Sequence, residues 1–174
     1  MPEAAVGHGV AAIDTPALVI DLDAMERNLR RMADFAAARG VRLRPHAKMH
    51  KCAELARLQM AHGAVGVCVQ KIGEALALAR GGVTDIYISN QVVDPGKLLR
   101  LADAVAQQRG VRWAIAVDSA DGVAQLASAM AKAGVQATGA IDVVVEIDAG
   151  QNRCGVVPGD AAVTLARQVL ACPV

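Results

Sequence analysis

The chain has 174 residues and a formal net charge of +1; it is 54 % hydrophobic, yet holds one Trp, one Tyr and one Phe. That length supports one domain with a real core, which Ala, Val and Leu must fill, as suits helices packed on a Val/Ile-rich sheet. Near-neutral charge and scarce aromatic platforms exclude nucleic acid as a partner, whether drawn by a global field or by base stacking.

Residues 1–13 read as a flexible N-terminal lead, with no basic segment followed by a long apolar run that would mark a secretory signal. Cys52, Cys68, Cys154 and Cys172 lack the close CxxC spacing of a zinc knuckle. No apolar stretch is long and uninterrupted enough to span a bilayer, so no membrane partner is expected. These features predict a cytoplasmic protein with reduced thiols.

The ordered part, residues 14–174, opens at Asp14-Thr15-Pro16. Ala17 to Ile20 is a short predicted strand, and Asp21 caps a helix from Ala24 to about Arg39, stopped by Gly40. A second strand begins at Val41 and leads into an amphipathic helix from Cys52 to His62, closed by Gly63. Further strands are expected at Val65 to Val69, Asp85 to Ser89, Val111 to Val117 and Ile141 to Ile147. Helices follow them at Gly73 to Arg80, Lys97 to Gln108, about Asp121 to Ala133 and about Asp160 to Leu170.

Six such strand–helix units mean right-handed βαβ crossovers on a parallel sheet. No GxGxxG follows the first strand, which argues against a dinucleotide-binding sheet. Instead a polar residue follows each strand: Asp21, Lys48, Gln70, Asn90, Asp118 and Asp148. On a (β/α)8 TIM-type barrel those positions converge on the C-terminal rim, where active sites lie. Taken singly, Asp21 and Asp118 read first as helix N-caps. A closed barrel needs eight units and typically about 250 residues, so the expected architecture is a partial barrel, as in a piece of a longer protein or one completed by another chain.

Two motifs carry chemistry. In Val41-Arg42-Leu43-Arg44-Pro45-His46-Ala47-Lys48-Met49-His50-Lys51 the cationic side chains recur with period two, gathering on one strand face at a strand–helix junction. Like charges around an amine favour its neutral form, the form that attacks a carbonyl to give a Schiff base. The same cations suit a small anion such as phosphate or carboxylate. The second motif, Asp148-Ala149-Gly150-Gln151-Asn152-Arg153-Cys154-Gly155, sets an arginine between glycines. Glycine permits close backbone approach to a ligand, and a planar guanidinium can hold a phenolate or carboxylate oxygen.

Arg44-Pro45-His46-Ala47-Lys48-Met49-His50-Lys51-Cys52 and Val145-Glu146-Ile147-Asp148-Ala149-Gly150-Gln151-Asn152-Arg153-Cys154-Gly155 resemble the pyridoxal-phosphate enzymes of the alanine racemase fold, fold type III. Within that fold the chain is most similar to the D-threonine aldolase / D-serine dehydratase-like branch, on the aldolase side. Asp14 to Leu22, Val67-Cys68-Val69-Gln70-Lys71 and Ile88-Ser89-Asn90-Gln91-Val92-Val93 add to the likeness, which covers nearly the whole chain from Asp14.

The resemblance implies an alanine racemase N-terminal-type barrel. It implies pyridoxal 5'-phosphate held covalently by Lys48, with Arg153 beside the ring's phenolic oxygen and Gln70 and Asn90 on the surrounding rim. His46 and His50 would tune Lys48 or meet the substrate. The implied reaction cleaves D-threonine and related D-β-hydroxy-α-amino acids to glycine and an aldehyde. It also implies a divalent metal (Mn, Mg or Co type) bound through a C-terminal β-domain outside this sequence, so no metal ligand is assigned here. A homodimer is expected. A dehydratase acting on D-serine or D-threo-3-hydroxyaspartate, a non-catalytic pyridoxal-phosphate carrier and a cofactor-free interaction module are the competing expectations.

Overall fold

The computed structural model describes residues 5–135 and 139–172. A 3-10 turn at Val10–Ala12 precedes six α-helices: α1 (Leu22–Ala38), α2 (Ala53–Ala61), α3 (Ile72–Arg80), α4 (Pro95–Gln107), α5 (Ala120–Lys132) and α6 (Asp160–Ala171). Four strands, β1 (Val67–Val69), β2 (Asp85–Ile88), β3 (Arg112–Val117) and β4 (Asp142–Val145), alternate with the last four helices.

All strand pairs are parallel and lie in the order β1-β2-β3-β4. A doubly wound sheet reverses its strand order at a switch point; this one never does. Successive right-handed crossovers in a single direction put the helices on one face, which is how a barrel wall grows. Contacts from α2 to α3, α3 to α4, α4 to α5 and α5 to α6 form that outer layer.

Strand parity sorts the two faces. Val67, Val69, Ile86, Ile88, Trp113 and Ile115 are buried toward the helices, where they meet Leu78, Leu98, Leu101, Leu126 and Met130. The opposite face carries Cys68 and, on β2, Asp85 and Tyr87 between the buried isoleucines. Among the described residues no polar or charged residue is fully buried, so the core is bare hydrocarbon apart from the Trp113 indole.

Across the lower end of that open face runs a row of alternating charges. Arg44 donates to Asp85 (Nη1 to Oδ1, 2.6 Å), Arg112 Nη1 lies 3.6 Å from Asp85 Oδ2, and Arg112 Nε donates to Asp142 at 2.7 Å. Gly66 makes room for it. A Cβ there would overlap the Arg44 guanidinium and stand 2.6 Å from the Asp85 carbonyl oxygen. Only glycine lets Arg44 pass.

The first two expected strands are corrected by the structure. Ala17 to Ile20 forms no strand and pairs with none among the described residues, with Leu18 fully exposed and Val19 and Ile20 exposed as well. Apolar, β-branched side chains favour a strand only when a neighbouring strand supplies hydrogen bonds, and none does so among the described residues. The Val41 stretch does run beside β1: Val65 N–H donates to Leu43 O, Cys68 N–H to Pro45 O, and Ala47 N–H to Cys68 O. Only His46 and Cys68 form a bridge. Pro45 has no N–H to offer, so the ladder is interrupted there.

Candidate active site at the strand ends

The period-two face expected for His46, Lys48 and His50 ends at His46. Residues 47–50 form a turn closed by Lys51 N–H donating to Ala47 O at 2.8 Å, and Lys51 takes a positive φ of 53°. Ala47, 1 % exposed, pins this turn to the sheet. The turn carries Lys48 to the C-terminal end of β1 and sends His50 elsewhere, so the three do not share one strand face.

Lys48 Nζ donates to Gln70 Oε1 at 2.9 Å. Gln70, the residue after β1, passes the contact on through Nε2 to the Ser89 carbonyl at 3.2 Å. Its backbone N–H and that of Lys71 donate to Glu74 Oε2, both at 3.1 Å. The sequence therefore brings Lys48 and Gln70 together, as expected of rim residues.

The cationic crowding is largely dispersed. Arg44 is spent on Asp85 at the far end of the sheet. Partial burial, and next the charge of Lys48, hold His46 below the usual histidine range, so it is neutral at neutral pH. His50 is lowered as well, chiefly by burial. Its Nδ1 accepts the Cys52 N–H at 3.1 Å, which places the proton of the neutral ring on Nε2. What remains near Lys48 is an amine with a neutral acceptor.

The Asp148-to-Gly155 loop is fastened from several sides. Asp148 Oδ1 accepts from Gly150 N–H at 2.9 Å and Asn152 N–H at 3.0 Å, and these bonds hold its carboxyl below the ordinary range. Asp118 Oδ2 accepts the Gly155 N–H at 3.2 Å. Asp118 is thus no helix cap, since Ser119 caps α5 by accepting from Gly122 N–H. Asp21 does cap α1, through Ala24 N–H at 2.9 Å. Gly155 has φ 101°, and a Cβ on it would lie 2.6 Å from Asp148 N, so the loop folds back too tightly for any side chain.

Arg153 itself projects into solvent, beside Asn152 at φ 55°. Contact with Cys154, and then the charge of Glu146, favour its charged form. Glu146 accepts from Gln91 Nε2 through one oxygen and from the Cys154 thiol through the other at 3.2 Å, tying the end of β2 to the end of β4.

Ser89, Gln91 and Glu146 received no role from sequence reasoning, and parity would have found them. Ser89 and Gln91 continue the Asp85, Tyr87 face of β2, while Asn90 shares parity with buried Ile86 and Ile88. Asn90 is half-buried, and its side chain makes no hydrogen bond among the described residues. Glu146 follows β4 directly and continues the Asp142, Val144 face. Among the described residues no three His, Cys, Asp or Glu side chains gather as a metal site, and no helix is long and apolar enough to cross a membrane.

The donor set suits the ring end of pyridoxal 5'-phosphate. An amine without a carboxylate partner among the described residues fits its aldehyde, and an exposed guanidinium on the same rim fits its phenolate.

Comparison with known proteins places the fold. D-threonine aldolase of Arthrobacter sp. is 46 % identical over 167 residues, which is 96 % of this chain and 42 % of that protein. The crystal structure of D-threonine aldolase from Filomicrobium marinum superposes with a TM-score of 0.85 at 51 % identity, covering 94 % of this chain and 42 % of that one. D-threo-3-hydroxyaspartate dehydratase from Delftia sp. HT23 superposes with a TM-score of 0.77 at 35 % identity, over 92 % and 41 % of the two chains. The chain thus spans less than half the length of these relatives. The alanine racemase N-terminal domain model matches residues 20–174. The chain belongs to the alanine racemase N-terminal domain family.

Proposed function

We propose that the protein carrying this chain is a pyridoxal-phosphate-dependent lyase that cleaves D-threonine and related D-β-hydroxy-α-amino acids to glycine and an aldehyde. The observation that carries this reading is the Lys48 amine at the strand ends, held by Gln70 and unpaired with any carboxylate among the described residues. Similarity to D-threonine aldolases over 96 % of the chain supports it. Bound pyridoxal phosphate supplies an electron sink for the pair released at Cα when the Cα–Cβ bond breaks.

The chain's own residues then have separate tasks. Lys48 would hold the cofactor at its aldehyde end through the side-chain amine. Arg153 would offer its guanidinium to the phenolic oxygen of the ring. Gln70 holds Lys48, and Asn90 lines the rim. Neutral His46 lies close enough to Lys48 to feel its charge, so it is available to accept a proton beside the amine. His50 keeps its Nε2 proton as a donor. A divalent metal held by residues outside this sequence would lower the pKa of the substrate β-hydroxyl. The working protein is expected to be a cytoplasmic homodimer.

The test is an absorption spectrum before and after borohydride, followed by peptide mapping and product assay with D-threonine. A visible band trapped on Lys48, with glycine and acetaldehyde released, is the expected outcome. Likeness to the Delftia dehydratase favours the second reading, dehydration of D-serine or D-threo-3-hydroxyaspartate, for which ammonia and a keto acid would appear instead. A band without turnover of either kind would identify a pyridoxal-phosphate carrier. No band with added cofactor would leave a barrel wall that serves as an interaction module.

A further inference from the structure

We propose that Gln70 is a positioning residue that acts on Lys48: it supplies a neutral acceptor at the one place where a carboxylate would silence the amine. The inference rests on the reading of Lys48 as the reactive amine. It concerns how the chain prepares that amine before any carbonyl compound arrives.

The first support is the locked orientation of the amide. Gln70 Nε2 donates to the Ser89 carbonyl at 3.2 Å, a group that can only accept. The other end of the amide, Oε1, must therefore face Lys48, at 2.9 Å. The backbone beneath is held too, because Gln70 N–H donates to Glu74. An amide fixed at both ends keeps the amine in one place without much conformational freedom.

The second support is what the carboxylates at this end of the sheet do instead. Glu74 gives Oε2 to the N–H groups of Gln70 and Lys71, while its Oε1 lies 3.9 Å from Lys51 Nζ. Glu146 is taken by Gln91 and the Cys154 thiol. Asp118 is taken by Gly155 N–H, and Asp148 by the N–H groups of Gly150 and Asn152. His46, which feels the charge of Lys48, is neutral, and Arg44 is engaged with Asp85 at the far end of the sheet. Each of these carboxylates is occupied by its own donors, and Lys48 meets an amide. A salt bridge at that point would favour the ammonium, which has no lone pair with which to attack a carbonyl.

Competitive acetylation with trace acetic anhydride across a pH series, with peptide mapping, reads the reactivity of Lys48 alone; Lys97 and Lys132 serve as internal references. In Gln70→Glu, the Lys48 rate at near-neutral pH should fall roughly tenfold or more, with its profile moved to higher pH, because an opposite charge within hydrogen-bonding reach favours the ammonium. In Gln70→Met, of similar volume but without an acceptor, the profile should move to lower pH, since a bond favouring the charged form is gone. Lys97 and Lys132 should be unmoved in both. Opposite displacements are the result expected of a positioning role, whereas general loosening of the fold would move both variants the same way. Displacement in the same direction, or none, would overturn the inference. Cyanoborohydride trapping of pyridoxal 5'-phosphate on the parent protein tests the underlying reading separately. Failure to label Lys48 there would remove the Schiff-base role, whatever the acetylation profiles show.

Discussion

The two ends of the same four strands are built on opposite electrostatic rules. At the lower end Arg44, Asp85, Arg112 and Asp142 alternate in sign from strand to strand, and every charge has an opposite neighbour. At the upper end the carboxylates of Asp118, Glu146 and Asp148 are satisfied by N–H, amide and thiol donors, so that neither Lys48 nor Arg153 is in a salt bridge among the described residues. Compensated charge fastens strands to each other. Uncompensated charge, held by neutral groups, is what a ligand can use. The difference lies in which donors reach the carboxylates first, since both ends carry acids and bases.

Several perturbations would break or sharpen this contrast. Lys48→Ala should have the largest effect, abolishing the trappable visible band and the lyase activity. The urea midpoint should stay within about 0.5 kcal/mol of the parent, as expected for a half-exposed side chain outside the core. A large loss of stability would mean that the upper end also holds the fold. Gly66→Ala should be the most damaging change at the lower end, at about 2–3 kcal/mol by urea unfolding, because the added methyl displaces Arg44 and presses on the Asp85 backbone.

Asp85→Asn should cost less, about 1–2 kcal/mol, by weakening two arginine contacts in a partly buried place (side chains 17 % exposed for Asp85 and 24 % for Arg44). Trapping of cofactor on Lys48 should be unaffected. A drop in trapping would show that the two ends communicate. The outermost contact, Arg112 to Asp142, is more exposed, and Arg112→Ala should fall under about 1 kcal/mol.

The smallest effect concerns pH. Burial lowers both His46 and His50 from the ordinary value of 6.5. The folded protein therefore binds fewer protons than the unfolded chain around that pH, and stability rises with pH through this window. The contribution is present above the ordinary histidine range and is lost as pH falls through the folded values. Urea midpoints at mildly acidic and mildly alkaline pH should differ in that direction, and His50→Gln should flatten the difference. An unchanged slope in that variant would assign the effect to His46 or to the carboxylates.

The regular alternation of Val/Ile-rich runs with capped helices determined the fold class, and the last four strand–helix units lie where that alternation puts them. Lys48, Gln70, Arg153 and the Gly155 turn were legible for a local reason. Strand ends, a helix-stopping glycine and a loop between glycines are properties of a few adjacent residues. The first two strands were not, because a strand exists only with a partner, and Pro45 and the unpaired Ala17 to Ile20 segment depend on what lies beside them. Period-two reasoning also carried too far, placing His50 beside Lys48 through a turn that the buried Ala47 creates.

Only the tertiary structure decided which acid meets which base. Residues 22 apart join Lys48 to Gln70, 55 apart Gln91 to Glu146, and 41 apart Arg44 to Asp85. The sequence supplied the charges and the periodicity. Their pairing waited on strand register, because opposite charges at such separations become neighbours only after the sheet has aligned them.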